Sequence, residues 1–361
     1  MTWTGIRTIM VLELRQRVRA TRWRVMLGIW VAVLILLCGG LAIAVETASP
    51  ENATNEYLLP LYDVVVCFVL GIGLIVAPTL SATSINGDRA DATLALLQAT
   101  ALRSQEIVVG KLLAAWVAAI AFLGVAVPFL VILTVAGGSH WQALVAHLVI
   151  LVFTLGAVCA IGLGFSSLTA RPSASAVLTY IVVAALTVGT PLATAIASSV
   201  VTGTQTEVSY HVDYDKSTDD KIVCQSEPEI ETHEVTRTDR IWWILTPNPF
   251  VALGDATAHA PLQPASAVFG APDSFLSLTG QGVDLMRNPQ PSRVVYNRCE
   301  DRDDSYDGPS SSSTSSDDHG PVAKHLAFWP ASLVALMALG AGGVITASRR
   351  LRVPAGRLPR G

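Results

Sequence analysis

Charge is scarce in this sequence. Only 14% of its 361 residues are Asp, Glu, Lys or Arg, while 51% are hydrophobic and the mean hydropathy is +0.50. A soluble domain carries about 25% charged residues, so the composition argues against one and points to a chain that crosses a bilayer repeatedly. Reaction motifs are missing too. There is no G-x-x-x-x-G-K-[ST] phosphate loop, so the chain does not bind ATP that way. There is no G-x-S-x-G nucleophile elbow. His233-Glu234 has no second histidine four residues after the first, which removes the zinc-protease helix. "DYDKSTDD", Asp213 to Asp220, begins like a calcium loop, but Thr218 replaces the required glycine and Cys224 the final carboxylate. It reads as a solvated acidic turn. The expectation is a chain that is not an enzyme, holds no metal or cofactor and binds no nucleic acid.

What is present is a set of long apolar runs. A crossing helix needs about 20 residues, and six runs qualify: Val25–Val45, Leu59 to about Thr83, about Val108 to Val135, Ala143 to about Leu168, Ala174 to about Val201, and Phe328–Ala347. Pro78, Pro128 and Pro191 fall in spans two, three and five. Proline is tolerated in membrane helices where neighbours satisfy the freed carbonyl, so kinks are expected there, not ends. The first run is too long for the 7–15-residue core of a signal peptide and reads as a retained span.

Basic residues alternate between the short loops. Arg7, Arg15, Arg17, Arg19, Arg22 and Arg24 precede span one. Arg89 and Arg103 follow span two, Arg171 follows span four, and five arginines follow span six. The loops after spans one and three hold no Lys or Arg. The rule that positive loops stay inside predicts a plasma-membrane protein with both termini cytoplasmic. Thr202 to Lys324, between spans five and six, carries 20 of the 28 acidic and 9 of the 24 basic residues. "TEVSYHV", "KIVC", "EIETHEVTR" and "RVVYNRC" read as short strands within it. Residues 308–320, "GPSSSSTSSDDHG", read as linker.

The same loop holds "IWWILTPNPFVALG", residues 241–254. Pro247 and Pro249 break it, and it is too short to span. Trp242, Trp243 and Phe250 with the two prolines admit two readings: an interfacial or re-entrant element at the outer mouth of a pathway, or the core of an outer domain. Among the charges in spans, Asp63, Lys111 and His147 lie close enough to an end to reach water, so snorkelling or capping is the plain reading, though an intramembrane charge is a functional hypothesis by default. No carboxylate sits deep in the bundle, which argues against a proton-coupled carrier.

Between spans two and three lies "INGDRADATLALLQATALRSQEIVVGK", Ile85 to Lys111. Asp88 and Asp91 read as the start of a short helix, where acids suit the dipole. Leu94 and Leu97 give it an apolar stripe. Ser104 is placed to cap the next helix, with Glu106 in its first turn. A rigid cytoplasmic helix between two spans suits docking into a groove of a soluble partner. The stretch resembles the segment that permease subunits of ABC-2 type ABC transporters show after their second span, I-x-x-E-R-E-x-G-T-L-E-x-L-L-x-T-P-L-S-x-x-E-I-x-x-G-K. Ile85, Arg89, Thr93, Leu94, Leu96, Leu97, Thr100, Leu102, Glu106, Ile107, Gly110 and Lys111 match it. Asp88 and Asp91 stand where Glu is usual, Ala92 where Gly is, and Ala101 where Pro is. The resemblance implies a separate ATPase subunit that binds ATP-Mg, a second permease copy or relative, and usually export. It makes Asp88, Arg89, Asp91, Thr93, Leu94, Leu97, Thr100, Glu106, Gly110 and Lys111 the coupling residues.

The N-terminal segment repeats Trp3, Ile6, Met10, Leu14 and Val18 at spacings of three and four. That is an apolar helical stripe, and its arginines suit an anionic leaflet; a basic topogenic flank is the other reading. The expected architecture is an all-α polytopic membrane protein. A basic amphipathic helix, 1–24, leads to spans one to five, 25–201, with the coupling segment at 84–108. A β-containing extracytoplasmic unit, 202–325, span six, 326–347, and a basic tail, 348–361, follow. A membrane-anchored sensor or scaffold with a ligand-binding outer domain is the alternative.

Cys38, Cys67 and Cys159 fall in spans, where a thiol behaves as a small apolar group. Cys224 and Cys299 fall in the outer loop, where a disulfide persists; two unpaired thiols are the other reading. Closing the 75 positions between them stabilises a fold by roughly 3–5 kcal/mol in the chain-entropy model. Non-reducing peptide mapping of freshly alkylated membranes should recover the two as one linked peptide. Recovery of both as alkylated free thiols would leave the loop without that staple.

Overall fold

The structure, a computed structural model, describes residues 2–48, 58–90, 103–136, 141–211, 225, 227–259, 275–297 and 325–351. It is mostly helical. A short helix α1 (Trp3–Arg19) is followed by α2 (Thr21–Ala48), α3 (Leu58–Ser81), α4 (Ser84–Ala90), α5 (Ser104–Ala136) and α6 (Trp141–Leu168). The fifth span runs as α7 (Pro172–Ala184), a π-helical turn (Ala185–Gly189) and α8 (Thr190–Val200). Strands β1 (Thr202–Tyr210) and β2 (Glu229–Thr236), helices α9 (Pro249–Ala258) and α10 (Phe275–Met286), strand β3 (Arg293–Asn297) and helix α11 (Trp329–Arg350) complete the order.

Among the described residues, six helical stretches are long and apolar enough to cross a membrane, and each overlaps one of the six runs read from the sequence. Leu36 is 76% exposed and Val188 68%. In water such an outward apolar belt would be costly; lipid accepts it. Pro78 and Pro128 lie inside continuous helices, and the fifth span passes Pro191 through its π turn.

Helix α6 is the hub of the bundle. It packs on α3, α5, α7, α9 and α11. Without a hydrophobic drive between helices in lipid, close approach depends on small side chains. Span six meets α6 through Gly340 and Gly343 against Ala157, Ala160 and Gly164. A Cβ on Gly164 would fall 2.7 Å from the Gly343 Cα, so the backbones touch there. Span one is peripheral and is fastened by aromatic contacts. Trp30 stacks on Phe68 and donates from Nε1 to the Phe122 carbonyl (3.1 Å), and Trp23 packs edge-on against Phe122. Span five leaves most of its surface outward, with Tyr180 donating to the Ile75 carbonyl of α3 (2.9 Å).

The three strands form one sheet in the order β2-β1-β3. β1 and β2 are antiparallel, from Thr202 opposite Thr236 to Ser209 opposite Glu229. β1 and β3 are parallel, with Thr206 opposite Arg293. These strands match three of the four expected; "KIVC", the linker 308–320 and Cys224 and Cys299 lie outside the described residues.

Candidate functional site

Two polar joints stand at opposite ends of the bundle. The first, called basal here, gathers α1, α4 and the start of α5. Lys111 lies about two turns into α5, at 1% exposure. Its ammonium forms an ion pair with Glu13 of α1 and another with Asp88 of α4, the latter at 2.6 Å. A buried cation is tolerable only when paired and hydrogen-bonded; two carboxylates from two helices meet that need. The preceding residue explains how α1 comes so close. A Cβ on Gly110 would lie 2.8 Å from the Ile9 Cβ and 3.1 Å from the Ile6 carbonyl, so only glycine lets α1 seat at that point. The adjacent glycine and lysine thus have one purpose each: contact and charge.

Glu106 makes the second tie. Its Oε2 accepts from the Arg103 N–H (3.1 Å), and its Oε1 accepts from the Thr2 N–H (2.6 Å) and hydroxyl (3.0 Å). The reach back to the residue before the helix is half of a capping box. The capping role expected for Ser104 therefore falls to Glu106, because the helix starts at Ser104 itself. Arg17 of α1 donates to the Leu80 carbonyl at the end of α3 (3.0 Å). Burial pulls its guanidinium below its ordinary value and Glu13 opposes that shift. A cation there complements the negative end of the helix dipole.

Helix α4 is bolted from the other side. Ser166 Oγ, at the end of α6, accepts from the Ile85 and Asn86 N–H groups (3.0 and 3.2 Å) and so satisfies donors that the first turn of a helix leaves free. Asn86 Nδ2 donates to Ser175 Oγ of α7 (2.8 Å). Asp88 is thus not at a helix start as expected; α4 begins at Ser84, and Asp88 sits in its last turns facing Lys111. Arg89 is exposed. Asp91, Thr93, Leu94, Leu97 and Thr100 lie outside the described residues.

The apolar stripe expected on α1 is also corrected. Ile6 is buried with Gly5 and Ile9, but Trp3 and Val18 are exposed. The face toward α5 and α3 runs through Ile6, Ile9, Glu13 and Arg17. Two of those are charged, and periodicity of apolar residues alone does not find such a face. Glu13 carried one usable signal: it is the only acid among the first 24 residues.

The opposite, distal end is organised by α9 and α10. Residues 241–254 form a 3-10 turn (Trp242–Leu245) and most of α9, with Pro249 buried in the first turn of α9 and Phe250 packed on the main core. Trp243 is exposed. Trp242 lies against Phe328, and the Arg287 guanidinium sits over the Trp242 ring at 4.9 Å. Pro247 is half-buried just before α9. Four spans hold this pair by polar contacts. Asp63 of α3 accepts from the Leu276 N–H at the start of α10 (2.8 Å). His147 of α6 stands between the Tyr62 hydroxyl (Nδ1, 2.8 Å) and the Leu253 carbonyl and Thr257 hydroxyl of α9 (Nε2, 3.2 and 3.1 Å). Asn248, before α9, donates to the fifth span (2.9 Å). Asp255 of α9 caps span six by accepting from the Phe328 and Trp329 N–H groups (2.7 and 2.9 Å). Burial pushes the Asp255 carboxyl up, while those N–H groups and His259 pull it down. The expectation that Asp63, Lys111 and His147 reach water is overturned, since they are 3, 1 and 0% exposed and bonded inside the protein; the capping alternative fits Asp63, which accepts from an N–H at the start of α10. An apolar groove of about 570 Å³ runs along α3 from Asp63 to Ile75, with Phe275 of α10 beside its Asp63 end.

Residues 7–219 match the family described as ABC-2 family transporter protein. The chain belongs to that family. It is a multi-pass membrane protein and a permease of the ABC-2 type, and membership implies association with an ABC ATPase subunit. The match spans more than half the permease and contains the basal ion pairs of Lys111 with Glu13 and Asp88, but not Thr2 or Ile6; it ends before α9, α10 and α11. Neither curated proteins nor solved structures give a match.

Lys111→Met should remove the ammonium that Glu13 and Asp88 share. Removing one partner of a buried pair costs roughly 3–5 kcal/mol, and partial exposure of the two acids, 17 and 26%, puts the loss at the lower end. Thermal unfolding of the detergent-solubilised permease should show a lowered midpoint. Lys111→Met combined with Glu13→Gln and Asp88→Asn should recover most of it. An unchanged midpoint in Lys111→Met would remove the ion pairs from the account of this joint.

Proposed function

We propose that this permease is the pathway subunit of an ABC exporter in the plasma membrane. Both termini and the basal joint face the cytoplasm, and α9, α10 and the sheet form an extracytoplasmic unit between the fifth and sixth spans. Two permease copies, or this chain and a related one, enclose the path, and the apolar face of α3 is one of its walls. ATP-Mg is bound and hydrolysed by the separate ATPase subunit; this chain supplies pathway and coupling, not chemistry.

One observation carries the reading. The helix that leads into the family's coupling segment, α4, is fixed to α5 and α1 through Lys111, to α6 through Ser166 and to α7 through Ser175. A push delivered to residues 91–102 is then passed to several spans at once. A flexible tether would absorb it. Force transfer from a soluble motor to a membrane bundle needs such a mount, and a ligand-sensing scaffold does not.

Leu94→Asp and Leu97→Asp place a charge on the expected docking stripe. A docked leucine contributes about 1.5–3 kcal/mol of burial, so either variant should reduce copurification of the ATPase by roughly tenfold while the permease still inserts. Wild-type ATPase recovery from both variants would reject the coupling assignment.

Orientation has its own test. Cysteine introduced at Asn52 should react with an impermeant thiol reagent outside intact cells, and cysteine at Gly356 should react only after lysis. Labelling of the Gly356 position from outside would invert or reopen the topology.

A further inference from the structure

Pro191 supplies no N–H, so within the fifth span the carbonyl four residues earlier, Thr187, loses its helical donor. The π-helical turn Ala185–Gly189 stands just before the proline. Two side chains fill the gap. The Thr190 hydroxyl donates to the Leu186 carbonyl (2.9 Å). Asn248 Nδ2, from outside the span, donates to the Thr187 carbonyl (2.9 Å) and to Thr190 Oγ1 (2.9 Å).

Asn248 is 1% exposed, and every polar group it has is used. Its Oδ1 accepts from the Phe250 and Val251 N–H groups (2.9 and 3.4 Å) and caps α9. Its own N–H donates to the Leu245 carbonyl, and its carbonyl accepts from Ala252. Reversing the amide would set donors against N–H groups, so the partners fix its orientation. Thr187 lies 13 residues before the end of α8, about 20 Å along a helix at 1.5 Å per residue. The tip of α9 therefore meets the fifth span well inside it, not at its rim.

We propose that Asn248 is a positioning residue that fastens the α9–α10 pair to the π-helical turn before Pro191 in the fifth span, so that turn and pair shift as one unit. One end of the side chain belongs to α9 and the other substitutes for a missing backbone donor of the span. Rearranging the π-helical turn displaces the Thr187 carbonyl and must either carry α9 along or break the contact. Its use at the outer mouth rests on the exporter reading; the fastening itself does not.

The test is hydrogen exchange on the permease alone, in detergent and without nucleotide or ATPase, so a failed exporter reading leaves it intact. Asn248→Asp keeps an acceptor for the α9 cap, since Asp caps as well as Asn, but loses both donors to the span. Leaving a buried carbonyl unpaired costs about 1–3 kcal/mol, which is about 5- to 150-fold in an opening equilibrium. Peptides covering 184–192 should therefore exchange about 5- to 150-fold faster in Asn248→Asp, with α9 peptides close to wild type. Asn248→Ala should accelerate both regions. Pro191→Ala restores an N–H to the helix, and in that background Asn248→Asp should have little effect. Equal acceleration by Asn248→Asp with and without Pro191→Ala would overturn the proposal, as would wild-type exchange over 184–192 in Asn248→Asp. Acceleration spread over all spans would also overturn it, since that is general loss of packing and not a local fastening.

Discussion

A backbone N–H or carbonyl that loses its partner inside a bilayer has no water to turn to. Each helix end or break buried in this permease creates such groups, and the answer is repeatedly a side chain from another element. Arg17 answers for Leu80, Ser166 for Ile85 and Asn86, Asp63 for Leu276, Asp255 for Phe328 and Trp329, and Asn248 for Thr187. Apolar packing brings the spans together but is non-directional. These bonds decide which helix end sits against which neighbour. They also make discontinuous helices tolerable in a bundle otherwise held by small-residue contacts.

The two ends solve the same problem with different chemistry. The basal joint uses full charges, with Lys111 shared by two carboxylates, and borders the segment that we propose couples to the ATPase. The distal joint uses mostly neutral donors and one-sided carboxylate caps, and it holds two short helices against four spans. His147 fits this pattern: the Leu253 carbonyl can only accept, so Nε2 donates, Nδ1 accepts from Tyr62, and a neutral ring satisfies both sides. The basal joint thus centres on one buried cation shared between two helices, and the distal joint on bonds from side chains to backbone groups.

The spans were legible because length and hydropathy are summed over 20 residues or more, and no single position decides them. β1, β2 and β3 were legible from short β-prone runs. The partners of the buried polar groups were not. Glu13 and Lys111 are nearly a hundred residues apart, and nothing local marks one as the other's counter-ion. Apolar periodicity misread α1 because the buried face includes Glu13 and Arg17. Asp63 and His147 read as snorkelling or capping groups because their place along a helix was visible while the groups they bond in α9 and α10 were not. Gly110 and Lys111 could be matched to a family pattern, but the reason for each needed Ile9, Glu13 and Asp88 in place. Asn248 before Pro249 carried an ordinary helix-start signal, and its second partner lies in another span.

The parallel pairing of β1 with β3 gives the sheet a timetable. β1 and β2 are neighbours in the chain and can pair as soon as both exist. β3 can join only after α9 and α10 have been synthesised, because Thr206 waits for Arg293. Non-local pairings of this kind are slow to form, and until then one edge of β1 stands open to any other strand. The strand that closes the sheet therefore reports that the α9–α10 stretch has already been made, and a chain cut short before Arg293 would carry an unprotected edge as the mark of its incompleteness.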